Sequence, residues 1–146
     1  MSSASILIPS KFIAIILHVI ISGCILANYE DNILSANINK LNSDGSTNSQ
    51  WSTAQASIVA AMVTSEIFLF IEIIILFIGI NMYCDKLNIL QTIGHSIGVI
   101  LYSWFTLDSW MYNEIWSPWF FFSFCPFAGE IYQAVSSLLY YKRYRA

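Results

Sequence analysis

Apolar residues fall into long runs separated by polar breaks, and the runs have the length of bilayer crossings. The first extends from Phe12 to Ala27. With Ile6, Leu7 and Ile8 ahead of it, it reaches the ~20 residues that a helix needs to cross the hydrocarbon core. An Asn/Ser-rich stretch follows, including NKLNSDGSTNSQ, and reads as a flexible loop over 28–56. The second run contains FLFIEIIILFIGI and ends near Tyr83, long enough to span with tilt to spare. After a short turn at Cys84–Asp85–Lys86 comes a third run from Leu87 to Leu107, and a fourth from Pro118 to Tyr141. Ser117 followed by Pro118 predicts the start of that last helix: a capping hydroxyl, then a proline at the first helical position. The pattern predicts an all-α membrane protein, a four-helix transmembrane bundle forming one domain over 1–146, with spans of about 7–27, 57–83, 87–107 and 118–141.

Four crossings put both termini on one side of the membrane. Lys11, Lys86, Lys142, Arg143 and Arg145 then share that side, whereas Lys40 stands opposite among Glu30, Asp31, Asp44, Asp108 and Glu114. The excess of Lys and Arg places both termini and the 84–86 turn in the cytosol. Trp104, Trp110, Trp116 and Trp119 make an aromatic belt at the far interface, and Tyr140, Tyr141 and Tyr144 mark the near one. A rival reading takes the N-terminus as a signal peptide, because Ile21–Ser22–Gly23–Cys24 loosely resembles a lipoprotein cleavage box. The single Lys11 makes a weak n-region for it.

Composition agrees with a lipid solvent. The 146 residues are 57% hydrophobic and only 10% charged, against about 25% charged in soluble domains. A net charge of −3 gives no electrostatic case for nucleic acid. Cys24, Cys84 and Cys125 show no CxxC spacing, and with His18 and His95 they complete no zinc pattern. They read as apolar packing residues rather than a disulfide framework.

Against this background the ionisable residues inside the spans stand out: Glu66, Glu72 and Glu130, with His18 and His95. A carboxylate at mid-membrane costs roughly 2.5–3.5 kcal/mol on insertion scales. One reading is a proton or ion pathway; another is interhelical hydrogen bonding that holds a bundle together. Glu66 and Glu72 lie about 120° apart around a helix, so they do not form one carboxylate site. Glu66, about two turns from the outer end of its apolar run, is expected near the headgroups. Glu72 is expected deeper. No internal repeat of the kind transporters carry is present. No Ser/His/Asp or Cys/His constellation, phosphate loop or HExxH motif supports an enzyme, and Asp108 and Glu114 read as a solvated loop. No cofactor or metal is implied.

Gly94 and Gly98 form a small-xxx-small pair that lets another helix approach closely. Pro126 lies within the fourth run and predicts a kink near Cys125, with Gly129 one turn on.

The order Pro9–Ser10–Lys11–Phe12, His18, Glu72 before Gly79, then His95, Trp110, Trp116, Pro126 and Glu130 resembles the transmembrane protein 107 family, four-span components of the ciliary transition zone. The ungapped stretch from His95 to Glu130 carries most of the resemblance; the long first loop and Glu66 have no counterpart. The resemblance implies a non-enzymatic membrane scaffold. Its expected partners are those of the Meckel-syndrome module: tectonics, meckelin, other multi-span proteins and B9-domain proteins. The module limits exchange between ciliary and plasma membranes and supports cilium assembly. On this reading Glu72, Glu130, His18 and His95 meet in or beside the bundle core and pair with each other or with backbone carbonyls, because unpaired polar atoms in hydrocarbon cost several kcal/mol.

Overall fold

The computed structural model describes residues 4–80 and 84–145, with side chains over 6–80 and 84–140. The side chains of Tyr141, Lys142, Arg143, Tyr144 and Arg145, and the end of the second apolar run at 81–83, lie outside the described residues. The fold is helical. Helix α1 covers Ala4–Asn28 and a short α2 covers Glu30–Leu34. Helix α3 runs over Ser49–Ile78 and α4 over Asp85–Leu107. The last helical run begins with a 3₁₀ turn at Tyr112–Ile115. It continues through α5 (Trp116–Trp119) and a π-helical turn (Phe120–Phe124) into α6 (Cys125–Arg145).

Two of these helices, over Ile6–Asn28 and Ser49–Ile78, are long and apolar enough to cross a membrane. The most extensive packing is between α1 and α4, with α3 against α1 and the last run against both α3 and α4.

Helix ends follow local chemistry. Helix α3 starts at Ser49, ahead of the apolar run near 57, because the Asn48 side chain caps it by accepting from the Gln50 amide at 2.9 Å. It stops at Gly79, whose φ of 80° suits a residue without Cβ and whose amide bonds back to Ile75 and Leu76. The stretch expected to be a flexible loop is partly built. Asn32 and Ile33 of α2 are buried, and Leu41 pairs with Thr47 in a single antiparallel bridge. Within it Asp44 accepts from the hydroxyl and amide of Ser46, which hold its carboxyl below its ordinary value.

The last run departs from expectation at its start. The 3₁₀ turn and α5 carry the helix through Trp116, so Ser117 and Pro118 lie within the first turn rather than at the cap. Proline is tolerated there because the first four amides of a helix have no intrahelical acceptor. Ahead of Pro126 the chain adopts the π turn, and the Cys125 amide bonds to the Phe120 carbonyl. The wider turn absorbs the missing proline donor, and the Pro126 carbonyl accepts from Gln91 Nε2 at 3.0 Å.

At the end of the bundle nearest α2, a hydrophobic core gathers Ile25, Ile33, Trp51, Ile58, Tyr102, Phe105 and Ile115. The Asn32 amide group fastens α2 to this end by donating to the carbonyls of Phe105 (2.7 Å) and Trp110 (2.8 Å). Phe105 lies in the last turn of α4, and its carbonyl also accepts from the Trp110 amide at 3.2 Å.

Candidate functional site

The bundle interior carries polar residues at helical spacing. On α1 the buried positions are Lys11, Ala14, Ile15, His18, Ser22 and Ile25. On α4 they are Asn88, Gln91, His95, Gly98, Tyr102 and Phe105. Helix α3 adds Ser65, Leu69, Glu72 and Ile75, and the last run adds Ser123 and Glu130. Residues three and four apart share a helix face, so each stripe turns inward as a unit and the polar members meet.

They meet in three groups. In the first, Lys11 Nζ donates to Glu130 Oε2 at 2.9 Å, Gln91 Oε1 at 2.6 Å and Asn88 Oδ1 at 3.1 Å. Both ends of the ion pair are fully buried. In the second, His18 Nδ1 lies 3.1 Å from His95 Nδ1, and His95 Nε2 lies 2.9 Å from Glu72 Oε2. In the third, the Ser123 hydroxyl stands between Ser65 (2.6 Å) and Tyr102 (3.1 Å). Together the groups join α1, α3, α4 and the last run along the length of the bundle.

The expectation that four residues converge is therefore divided. His18, His95 and Glu72 come together, but Glu130 is held by Lys11. Lys11, counted among the Lys and Arg of the cytosolic side, is a buried member of α1, because the helix begins ahead of it and its stem follows the inward stripe. Asn88 and Gln91 were not anticipated either. The signal was present in the spacing 88–91–95–98–102–105, which sets them on the face of His95.

Glu66 is not near an end of its helix. Since α3 starts at Ser49, Glu66 lies about 26 Å along it at 1.5 Å per residue. Its Oε1 is buried without a protein hydrogen-bond partner.

The glycines serve contacts within the chain. A Cβ on Gly98 would stand 2.9 Å from His18 Cε1 and 2.9 Å from Phe122 Cβ. Gly94 is looser, with Pro126 Cγ 3.7 Å from the same imagined atom. It opens on an outward-facing groove of about 370 Å³ between α4 and the last run. Gly129 faces Leu87 Cδ1 at 3.4 Å. Trp110 packs edge-on against Phe105 and its carbonyl serves Asn32. Trp116 Nε1 donates to Ser57 Oγ (2.9 Å) and Trp119 Nε1 to Thr64 Oγ1 (3.0 Å), tying the last run to α3. The cysteines do not pack inside. Cys24 and Cys125 are exposed on outer faces, and the half-buried Cys84 Sγ accepts from Gln133 at 2.9 Å.

Outside this interior the surface is apolar. Ile13, Leu17, Ile20, Ile67, Phe70, Ile74, Ile93, Ile97, Ile100, Phe120, Phe121 and Leu138 are all exposed. Side chains of this kind over helices of this length, around a core of paired charges, define a helical membrane protein. The chain belongs to the transmembrane protein 107 family: the TMEM107 family, described as a transmembrane protein, matches residues 7–134. It is also similar to transmembrane protein 107 of Danio rerio, with 24% identity over 125 residues, 86% of this chain and 87% of the relative. No solved structure matches.

Proposed function

We propose that this chain is a four-span, non-enzymatic scaffold of the ciliary transition zone, with both termini in the cytosol. The observation that carries the four-span reading is the inverted distribution of polarity. Within the apolar runs, Asn88, Gln91 and His95 of α4 and Glu130 of the last run point inward, as do Lys11 and His18 of α1 and Glu72 of α3, while the outward positions are mostly apolar. A helix exposing Ile89, Leu90, Ile93, Ile97, Ile100 and Leu107 has no stable place in water. Lys86, left exposed in the 84–86 turn, supports the cytosolic side.

The family supports the ciliary reading. The interior supports reading the intramembrane charges as assembly, since each named ion pair or polar chain links two or more helices. On this reading the outer faces and the polar loop engage tectonics, meckelin, other multi-span proteins and B9-domain proteins of the Meckel-syndrome module, within membrane lipid. The chain thereby helps to control ciliary membrane composition and cilium assembly.

Localisation of a tagged chain tests this reading. A ring at the cilium base with co-purification of those proteins is expected, whereas signal over mitochondria overturns it. Tag accessibility tests topology, with termini reached only from the cytosol and the 39–48 loop only from the other side.

One observation favours a second reading, a small proton or ion pathway or an accessory subunit of a larger pump. The three polar groups lie along one buried column through the bundle. Proton flux in liposomes that disappears in Glu72→Gln would establish it; absence of flux, with partner co-purification lost in the same variant, supports the scaffold.

A further inference from the structure

We propose that Glu72, His95 and His18 form a buried site that binds one proton and accommodates it by a paired exchange of histidine tautomers. The three side chains come from α3, α4 and α1 and lie in a line. Glu72 Oε2 meets His95 Nε2 at 2.9 Å, and His95 Nδ1 meets His18 Nδ1 at 3.1 Å. The line has an open atom at each end. His18 Nε2 and Glu72 Oε1 are both buried without a protein partner. Buried polar atoms left in this way are the positions that internal water occupies.

Each of the two contacts needs one donor and one acceptor. With hydrogens only along the line, two arrangements satisfy both contacts with neutral rings; a proton on Glu72 Oε1 would instead leave both tautomers unchanged, which is the outcome the test separates. In one, Glu72 is a carboxylate that accepts from His95 Nε2–H, and His95 Nδ1 accepts from His18 Nδ1–H. His18 Nε2 is then a bare lone pair, and the group holds two protons and a charge of minus one by this count. In the other, protonated Glu72 donates to His95 Nε2, and His95 Nδ1–H donates to His18 Nδ1. His18 Nε2 carries a hydrogen, and the group is neutral with three protons.

The arrangements interconvert by uptake of one proton from water. A bond forms from that proton to His18 Nε2. The His18 Nδ1–H bond breaks as its proton passes to His95 Nδ1, and the His95 Nε2–H bond breaks as its proton passes to Glu72 Oε2. Nothing is oxidised or reduced. The charge of a low-dielectric site changes by one unit, at the point where three helices cross. Neither ring has to become a cation, which in such surroundings would separate charge at a high desolvation cost.

The surroundings leave this line distinct. From α1, Lys11 lies about 10 Å along the helix from His18 and bonds Glu130 of α6. From α3, Glu66 lies about 9 Å along the helix from Glu72. From α4, Tyr102 packs its ring edge-on to His18, at 4.9 Å between centroids, and its hydroxyl meets Ser123. Phe122 of the last run closes the site beside Gly98.

Nitrogen NMR of histidine-labelled full-length protein in nanodiscs, titrated across the pH range in which the protein stays folded, tests the proposal. Both imidazoles are expected to stay neutral and to exchange tautomers together at one midpoint. Glu72→Gln has no proton to gain and should lose the exchange, whereas Glu66→Gln should keep it. Infrared spectra should show a protonated carboxylic acid appearing at that midpoint in the wild type and in Glu66→Gln, but not in Glu72→Gln. An imidazolium signal from either ring, tautomers fixed across the range, or exchange surviving in Glu72→Gln would overturn the proposal. Should Glu72→Gln fail to fold, the wild-type tautomers alone decide.

Discussion

Gly98 and His18 occupy one shared space: an added Cβ on the glycine would stand 2.9 Å from His18 Cε1. That approach lets α1 and α4 close until the two histidine rings touch, 3.1 Å apart at Nδ1. Gly98→Ala should therefore lower stability by about 1–3 kcal/mol through overpacking, because Phe122 is as close on the other side. Gly94→Ala should be neutral or slightly stabilising, since its nearest neighbour leaves ordinary contact distance and alanine is the better helix former by ~1 kcal/mol. Unfolding in mixed micelles compares the two directly. Equal losses would mean that the pair acts as a general packing motif.

Lys11 and Glu130 should behave as a unit. Both are fully buried and 2.9 Å apart, so replacing either with an apolar residue strands the other's charge at a cost of about 3–5 kcal/mol. Lys11→Met combined with Glu130→Leu should cost much less than the two single changes added together. A double-mutant cycle measures that coupling; simple additivity would show that the pair contributes nothing as a pair.

The Ser65–Ser123–Tyr102 chain offers a milder test. Ser123→Ala removes the atom shared by both neighbours. Hydrogen bonds between membrane helices average ~0.6 kcal/mol with a maximum near 1.7, so a loss of about 1–2 kcal/mol is expected. Ser96→Ala, whose hydroxyl only bonds back to its own helix at Thr92, should cost less under the same conditions.

Asn32 should control the loop rather than the bundle. Its amide holds α2 to the end of α4 through two carbonyls. Asn32→Ala is expected to raise the rate of proteolysis between residues 39 and 48 while the long helices keep their protection. Removing a buried donor that satisfies two acceptors costs about 1–3 kcal/mol. Unchanged cleavage would show that packing of Ile33 and Trp51 suffices.

Much of the interior was legible as spacing. His95 and Gly98 fall on one stripe of α4, and the same periodicity could have added Asn88, Gln91 and Tyr102. Lys11 was harder to read. A lysine just ahead of an apolar run looks like an interfacial anchor, and only its position seven residues before His18 sets it on the inward face. The apolar run also understates α3, whose polar first turns over Ser49–Gln55 are helical through the Asn48 cap and the burial of Trp51 and Ala54.

By itself the sequence determined that the chain is helical, that its long apolar runs suit lipid, and that a few ionisable residues must find partners there. Run length and periodicity are local properties, and a few neighbouring residues suffice to set them. Which partner each ionisable residue found was decided only by tertiary structure. Glu130 took Lys11, 119 positions away, and Glu72 took His95, because pairing depends on the rotation and closeness of whole helices. Those are fixed jointly by contacts as distant in the chain as Gly98 against His18, the π turn before Pro126, and Asn32 on the end of α4.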